Sequence, residues 1–387
     1  MSHRYTTRPA THNHKEFQPT SLSSNPRHSN PNPASTSLFR RLVWEGTVPL
    51  EIHVDPKELP ANSDRGLDSY FIQAPRVSYL PLLIPDIRKN LVDLILDETA
   101  IASVKEDDWW FEELDTGNVM KWHWPIGLLF DHHTISVSTQ SSQSGVLSTP
   151  AAPAPLRLTL HFVSPPTDKL IIQPSAETCK QAFMGQVKEA DFLRWGNTKR
   201  VTGLRKQEQD GLWDGVKDHN FDDFWRVASK IFPMPTAFVP ILLHDNALPS
   251  PSPSHINNFN STQSQIQSQA RPASTDPASG QHQDRDGAYN VRSIPVRVYL
   301  PSGGPVLQDL VSPVAEEGRE SKPNTLRNFL HTQLPLLFPS PPTSPLAYAL
   351  VQGVLAPPES EMAWLGACLA GADGWVNICV GVGRPRI

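Results

Sequence analysis

The stretch TVPLEIHV at residues 47–54 decides how the first half of this chain folds. Every second residue of it, starting at Val48, is apolar, which is the two-residue period of a strand that buries one face. LRLTLHF at 156–162 repeats that period. Between them, the apolar run RVSYLPLLI at 76–84 predicts a second strand, and DIRKNLVDLILDE at 86–98 has the spacing of a helix.

The helix and the remaining segments of this first unit favour a mixed sheet packed across one helix. The predicted apolar face of the helix consists of Ile87, Leu91, Leu94 and Ile95. WWFEEL at 109–114 and MKWHWPIGLLFD at 120–131 are predicted to be extended, and a Ser/Thr/Gln/Pro-rich loop is expected at about 136–155. The order of strand, strand, helix, extended segments and strand is the β-grasp plan of ubiquitin.

The same order of elements recurs in the C-terminal part of the chain. The segments are the strand-like IPVRVYL (294–300) and PVLQDLV (305–311), the helical NTLRNFLHTQL (324–334), LAYALVQGVL (346–355), the short helix ESEMAWLGACL (359–369) and the strand-like GWVNICVGV (374–382). The repeat is one of pattern and not of sequence. The sequence therefore predicts a second β-grasp unit.

A helical block separates the two units, and a further helix precedes them. Residues 174–233 have apolar positions at helical spacing. SLFRRLVWEG at 37–46 predicts a short N-terminal helix with Leu38, Leu42 and Phe39 on one side.

The predicted fold class is α+β, with two ubiquitin-like β-grasp domains flanking a helix-rich domain, a short N-terminal helix and disordered insertions. The segments are a disordered tail at 1–36, the helix at 37–46, the first ubiquitin-like domain at 47–170, the helix-rich domain at 171–235, and the second ubiquitin-like domain at 236–387 with a disordered insertion at about 246–288. The tail and the insertion are polar and Pro-rich, with little to bury. Shorter breaks are expected near 316–323 and 339–345.

Composition and charge exclude several classes of protein. The net charge is -5, and no cluster of Lys and Arg offers the phosphate neutralisation that nucleic-acid binding needs. Cys179, Cys368 and Cys379 are too few and too unevenly spaced for a disulfide framework or a paired-thiolate zinc site. The stretch MSHRYTTRPATHNHKEF at 1–17 lacks the apolar core that a signal peptide is expected to have, and no run of about 18 apolar residues occurs in the sequence. We expect a cytoplasmic protein whose membrane contact is peripheral.

The candidates for catalysis and for metal binding are weak. Cys179 with His123 would make a thiol nucleophile, but nothing in the sequence brings them together, and a buried inert cysteine is favoured. His132 and His133 are adjacent, so on a strand they would point to opposite faces and could not share a metal, and a loop is their expected location. No catalytic residue, metal or cofactor is predicted, and a thiol enzyme using Cys179 stays open as an alternative.

Two further sets of motifs are interpreted structurally. GGP at 303–305 and GVG at 381–383 are expected to be turn and strand-end glycines, because no Lys-Ser/Thr pair or following helix completes a phosphate-binding loop. The tryptophans in WW (109–110) and KWHWP (121–125) are mostly core candidates. A minority at a domain junction could form a groove for a partner helix.

One lysine of the helical block stands out. QAFMGQVKEADFLRW at 181–195 predicts a helix, and Lys188 stands immediately beside its apolar stripe, with Glu189 and Asp191 close in sequence. For an arbitrary lysine the simplest interpretation is a solvated side chain supported by weak charge pairs.

Four sequence segments suggest a different interpretation of this lysine. They are PRVSYLPLL (75–83), MKWHWPIGLLFD (120–131), AFMGQVKEAD (182–191) and DHNFDDFWRVASKIF (218–232). With them the chain closely resembles the autophagy protein 5 family over about 38–233, and the similarity resumes at SIPVRVYLPSGGPVLQDLVSPV (293–314). The Pro/Ser-rich insertions are typical of fungal members.

The resemblance implies a function that does not depend on catalysis by this chain. Members of the family accept the ubiquitin-like autophagy protein 12 through an isopeptide bond, and FMGQVKEAD places the acceptor on Lys188. They also bind the coiled-coil autophagy protein 16, and the complex acts like a ubiquitin ligase that promotes transfer of autophagy protein 8 to phosphatidylethanolamine during autophagosome formation. The implied location is the preautophagosomal structure and the isolation membrane, with carrier enzymes as further partners. A ubiquitin-like interaction scaffold that is never conjugated is the alternative.

Elementary chemistry adds one expectation about Lys188. An amine attacks a thioester only when it is neutral, whereas Glu189 and Asp191 would favour the charged ammonium form. We therefore expect that deprotonation and orientation come from the carrier enzyme, and that the surface around Lys188 is a docking site as well as a substrate.

Overall fold

The computed structural model describes residues 33–60, 69–143, 154–170, 175–238, 286–317, 320–340 and 344–383. The greater part of the predicted tail at 1–36 and of the predicted insertion at 246–288 lies outside these described residues. Inside them, Ala288 is buried in the core of the C-terminal unit, so the folded part resumes before the predicted end of the insertion.

The first ubiquitin-like domain is a four-stranded sheet with helices on it. Its elements are β1 (Thr47–Val54), β2 (Tyr70–Pro75), α2 (Leu80–Ile87), a π-helical turn (Arg88–Val92), α3 (Asp93–Ile95), α4 (Glu98–Ser103), a 3-10 turn (Glu106–Asp108), β3 (Trp110–Glu113), α5 (Ile126–Gln143) and β4 (Leu156–His161). The strand order is β2-β1-β4-β3, and β1 runs parallel to β4 and antiparallel to β2. The predicted alternation of β1 is confirmed by its burial pattern, whereas β4 buries Thr159 and His161 as well as its apolar residues.

The predicted second strand at 76–84 is wrong. The strand is β2, which ends at Pro75, and α2 begins at Leu80, ahead of the predicted helix start at Asp86. Pro81 lies in the first turn of α2, where its missing N–H costs nothing because that group has no intrahelical partner there. The predicted apolar face also included Leu94, which is 61% exposed.

The predicted extended segment at 120–131 and the loop at 136–155 are partly wrong, because α5 occupies Ile126–Gln143. Residues 144–153 lie outside the described residues. Three polar residues of α5 are accommodated in a helix because the hydroxyl of each donates a hydrogen bond to the carbonyl four residues earlier. These hydroxyls belong to Thr134, Ser136 and Thr139.

The N-terminal helix α1 (Pro33–Trp44) begins within the stretch predicted to be disordered. Its packing also differs from the prediction, since Leu38 and Leu42 are each 60% exposed. Phe39 instead packs on the C-terminal domain, with its ring centroid 5.2 Å from that of Trp364.

The helical block consists of α6 (Ala176–Trp195), α7 (Lys199–Thr202), α8 (Lys206–Lys217) and α9 (Phe221–Ala228). Ser175 and Thr178 form a capping box that starts α6, and Gly196, with φ at 74°, ends it. Helices α8 and α9 pack closely at Gly215, where an added Cβ would lie 2.7 Å from Cβ of Phe224. The buried residues of the block form a third core together with Trp44, Val77, Tyr79, Trp122 and Leu170.

The second ubiquitin-like domain repeats the plan of the first. Its elements are β5 (Ile294–Tyr299), β6 (Leu307–Val311), β7 (Val314–Glu317), β8 (Glu320–Pro323), α10 (Leu326–Gln333), β9 (Ala347–Val351), β10 (Val354–Leu355), α11 (Met362–Cys368) and β11 (Val376–Val382). The order is β10-β9-β11-β5-β6, with β5 parallel to β11. The antiparallel β7–β8 hairpin replaces the break predicted near 316–323.

A buried ion pair of the first ubiquitin-like domain accepts a hydrogen bond from the second domain. The Arg76 guanidinium donates to Asp131 at 2.5 Å, and the backbone N–H of Gly353, in the β9–β10 turn, donates to the same carboxylate oxygen at 2.8 Å. Burial raises the pKa of Asp131, while Arg76 and the Gly353 N–H oppose that rise. Removing the arginine would leave a buried carboxylate without its counter-charge.

We therefore expect Arg76→Met to lower the free energy of unfolding by about 3–5 kcal/mol. Arg157→Met, which removes the solvent-accessible ion pairs with Asp115 at 3.0 Å and with Glu51 at 3.4 Å, is the matched control and should cost at most about 1 kcal/mol. Urea denaturation followed by circular dichroism measures both. Equal losses in the two variants would contradict a structural role for the buried pair.

Candidate functional site

Lys188 lies in the middle of α6 with its side chain exposed. The buried face of this helix is formed by Phe183, Val187 and Ala190, and it fixes the rotation of the helix about its axis. Lys188 follows Val187 directly and so stands at the edge of that face. Within the described part of the chain, no hydrogen bond or ion pair reaches the Lys188 amine.

The two carboxylates next to Lys188 in sequence do not pair with it, which corrects the expectation from sequence. Glu189 accepts hydrogen bonds from Arg297 at 3.2 Å and from Gln308 at 3.4 Å, both in the second domain. Asp191 is 2% exposed and accepts from the backbone N–H of Val201 at 3.2 Å. Burial raises the pKa of Asp191.

The helix face around Lys188 is open and partly apolar. One turn before it, Gly185 has open space where a side chain would stand. One turn after it, Phe192 is 48% exposed. Residues three and four apart are neighbours on a helix surface. Lys188 therefore has the open space beside Gly185 on one side and the exposed ring of Phe192 on the other.

Cys179 and His123, the candidate thiol pair, are not brought together as a nucleophile and base. Cys179 is fully buried, and burial raises the pKa of its thiol. The ring of His123 packs edge-on against Trp122 and Trp124, and burial together with Lys121 lowers its pKa. Among the hydrogen bonds of the described residues, none links these two side chains.

His132 and His133 lie on α5, which corrects their expected location in a loop. Nε2 of His132 lies 3.1 Å from the carbonyl oxygen of Leu300, whereas Nδ1 of His133 pairs with Glu113. Although burial alone would raise the pKa of Glu113, hydrogen bonds, chiefly that of His133, lower it to about 2. The two histidines thus have separate partners.

The glycine motifs are where the sequence placed them. Gly303 belongs to the β5–β6 turn with φ at 75°, and Gly383 follows the end of β11 with φ at 95°. These positive φ angles explain why glycine stands there.

The tryptophans divide into core residues and one junction residue. Trp109 and Trp122 are buried in the first domain and in the core of the helical block, respectively. Trp124 packs edge-on against Tyr299 with ring centroids 4.8 Å apart. Both rings line a cavity of about 440 Å³ between α5 and the β5–β6 end of the second domain, so the expected aromatic surface at a domain junction exists.

Two β-grasp sheets on either side of a helical block, with an exposed lysine on the block's longest helix, define a multidomain protein of the ubiquitin-like class. Three family descriptions match the chain in the same arrangement. They are "Autophagy protein ATG5, UblA domain" over residues 43–162, "Autophagy protein ATG5, alpha-helical bundle region" over 176–234, and "Autophagy protein ATG5, UblB domain" over 293–380.

Relatives and a solved structure agree with these matches. The chain is 30% identical over 354 residues to autophagy protein 5 of Emericella nidulans and 31% identical over 375 residues to that of Aspergillus clavatus, covering 90% of this chain and 98% of each relative. The crystal structure of Kluyveromyces marxianus Atg5 superposes with a TM-score of 0.57 at 20% identity, over 88% of this chain and 98% of that one, which supports the fold alone.

The chain belongs to the autophagy protein 5 family, as its resemblance to fungal members indicated. This membership supports a role in autophagy, and the predicted α+β fold with two ubiquitin-like domains around a helical block is confirmed. Among the described residues, no helix combines the length and the apolar character that crossing a bilayer requires.

The burial of Cys179, Cys368 and Cys379 generates a prediction about thiol chemistry. All three are buried, and burial raises the pKa of each, so each thiol should be protonated and shielded from reagents. Titration with Ellman's reagent should detect less than one thiol in the native chain and all three after denaturation. A fast-reacting native thiol that Cys179→Ala removes would instead support the thiol-enzyme alternative.

Proposed function

We propose that Lys188 is the acceptor of the ubiquitin-like autophagy protein 12. The observation that carries this proposal is the open position of the Lys188 amine on α6, between Gly185 and the exposed Phe192. The family resemblance of FMGQVKEAD points to the same residue. A carrier enzyme needs to approach one amine from solvent, and this face of the helix permits that approach.

The proposed reaction is a transfer from sulfur to nitrogen. The neutral Lys188 amine attacks the carbonyl carbon of the thioester between the modifier's C-terminus and the carrier enzyme's cysteine. The new C–N bond forms, the C–S bond breaks, the thiol leaves and the amine gives up a proton. Since Glu189 and Asp191 are engaged elsewhere, we assign proton removal and orientation to the docked carrier enzyme.

The conjugate is proposed to act in autophagosome formation together with the coiled-coil autophagy protein 16. In this role the chain positions other components, so that autophagy protein 8 is transferred to phosphatidylethanolamine at the isolation membrane, with the chain itself as a non-catalytic, peripherally bound subunit. The aromatic cavity at Trp124 and Tyr299 supports a concave surface for a partner helix, because such anchors commonly receive helices.

Substituting the proposed acceptor should abolish conjugation. In a reaction with the modifier, its activating and carrier enzymes and ATP, we expect a branched peptide at Lys188 in the wild type and its loss in Lys188→Arg, read by mass spectrometry. Lys180→Arg is the matched control, because Lys180 lies two turns earlier on α6 and is held by Asp210 at 2.8 Å. It should leave conjugation unchanged.

The same measurement separates conjugation from the alternative of an unmodified scaffold. Adducts spread over many lysines, or adducts that persist in Lys188→Arg, would count against the acceptor assignment. No adduct in a reaction whose enzymes modify a known substrate would favour the scaffold.

The source of deprotonation is tested by Glu189→Gln. Because Glu189 is paired with Arg297, neutralising it should change the initial conjugation rate less than about twofold and leave its pH profile in place. Glu177→Gln, at the start of the same helix, is the control. A faster reaction with a lower pH optimum in Glu189→Gln alone would show that local charge limits the reaction, against the docking explanation.

A further inference from the structure

The ends of two parallel strands bring three metal-binding side chains together in the first domain, away from Lys188. Asp55 directly follows β1, and its backbone N–H donates to the carbonyl of Leu160 in β4 at 3.0 Å. The backbone N–H of Glu58 donates to the carbonyl of Asp55 at 3.0 Å and so closes a turn. This turn brings Glu58 back toward His161, which lies at the end of β4. Backbone hydrogen bonds therefore fix the backbone positions of Asp55, Glu58 and His161.

The distances between the three side chains fit a shared cation. Nδ1 of His161 lies 3.1 Å from Oε1 of Glu58 and 3.4 Å from Oδ2 of Asp55, and one ligand atom from each residue lies within 4.8 Å of the others. Two ligands bound at zinc distances with tetrahedral angles stand about 3.3 Å apart. The distances from Nδ1 of His161 to the two carboxylate oxygens are therefore close to the distance between two ligand atoms of a tetrahedral zinc site.

The far side of the imidazole has the surroundings of a metal-bound histidine. The His161 side chain is only 8% exposed, its Nε2 has no hydrogen bond of good geometry, and the nearest carboxylate oxygen, Oε1 of Glu112, lies 3.2 Å away. A metal-ligating histidine usually directs its second nitrogen at a carboxylate, which fixes the tautomer. Trp110 stacks on the ring at 4.1 Å and an angle of 12°, and so holds its plane.

Each carboxylate is also held by its second oxygen. The backbone N–H of Phe162 donates to Oε2 of Glu58 at 2.6 Å, and the N–H of Lys57 donates to Oδ1 of Asp55 at 2.9 Å. These contacts leave Oε1 and Oδ2 facing His161. Backbone donors of this kind orient ligands in metal sites.

We propose that Asp55, Glu58 and His161 form a binding site for a divalent zinc-like cation, with Glu112 as a positioning residue. One nitrogen and two carboxylate oxygens suit zinc, and a fourth position stays open to water. The bound cation fastens the Asp55–Glu58 turn to the end of β4. It lies outside the proposed conjugation chemistry, so neither proposal depends on the other.

The competing explanation is a protonated His161 that pairs with the carboxylates and needs no metal. Zinc binding to the metal-free full chain separates the two, measured by equilibrium dialysis against buffered free zinc and by the accompanying shift in melting temperature. Because the chain has 14 histidines, the measured quantity is the difference between wild type and variant.

We expect the wild type to hold one zinc ion more than His161→Gln or Asp55→Asn, and to show a rise in melting temperature that both variants lose. Glu112→Gln keeps all three ligands and should bind 10- to 100-fold more weakly, roughly the range for outer-shell partners. His53→Gln, which removes another histidine–carboxylate contact, with Glu51 at 3.0 Å, should behave like the wild type.

If His161→Gln does not fold, Asp55→Asn, which changes the more exposed edge of the cluster, tests on its own whether the cluster binds zinc. Equal zinc content and equal melting shifts in the wild type and Asp55→Asn would overturn the metal site and leave the protonated ion-pair cluster. Conjugation at Lys188 should proceed in Asp55→Asn, so failure here is distinguishable from failure of the proposed function.

Discussion

The arrangement of the two ubiquitin-like domains depends on a buried cluster in which Arg76 and Asp131 of the first domain meet the backbone N–H of Gly353 in the second. Arg76 follows β2 in the first domain, Asp131 lies on α5, and the N–H of Gly353 in the second domain closes the cluster. The backbone of Arg76 also accepts from the N–H of Gly127 at 2.9 Å. Two charges removed from water depend on each other, because neither tolerates loss of its partner. The hydrogen bond from the Gly353 N–H to Asp131 links this buried pair to the second domain.

Glycine is required at the second domain's side of this cluster. Gly353 has a φ of 75°, and a Cβ there would lie 2.8 Å from the Arg76 guanidinium. A side chain would be strained and would also displace the arginine. Helix α5 extends the joint, since Leu128 and Ile135 pack with Tyr299 and Cys379 of the second sheet. One helix thus contributes both to the core of the first domain and to the apolar cluster that joins it to the second.

The sequence predicts the strands better than the segments between them, for physical reasons. An apolar residue at every second position is typical of a strand, so β1, β4 and β5 could be located from their periods, although β4 and β5 bury most of their other residues as well. Helix α5 could not, because the hydroxyls of its polar half are satisfied by its own carbonyls. Lys188 could be singled out through a local motif, whereas the burial of Asp191 depends on Val201 in the next helix. The cluster at His161 was missed because its members are distant in sequence, although the parallel pairing of β1 with β4 is a signal that could reveal it.

The position of Lys188 follows from how α6 ends. Arg194 is buried against the second domain, where its guanidinium donates to the carbonyl of Gly374, and burial lowers its pKa to about 10, which leaves it charged at neutral pH. The Ser293 hydroxyl and the Arg292 N–H donate to the carbonyls of Leu193 and Arg194 at 2.6 and 2.7 Å. With its last turn held this way, α6 presents the lysine at a fixed height and rotation relative to both sheets. In the proposed transfer, the reaction rate depends on how well a docked thioester is aligned with the Lys188 amine. We propose that α6, which carries the amine on an open face, provides this chain's part of that alignment, and that the docked carrier enzyme provides the other part.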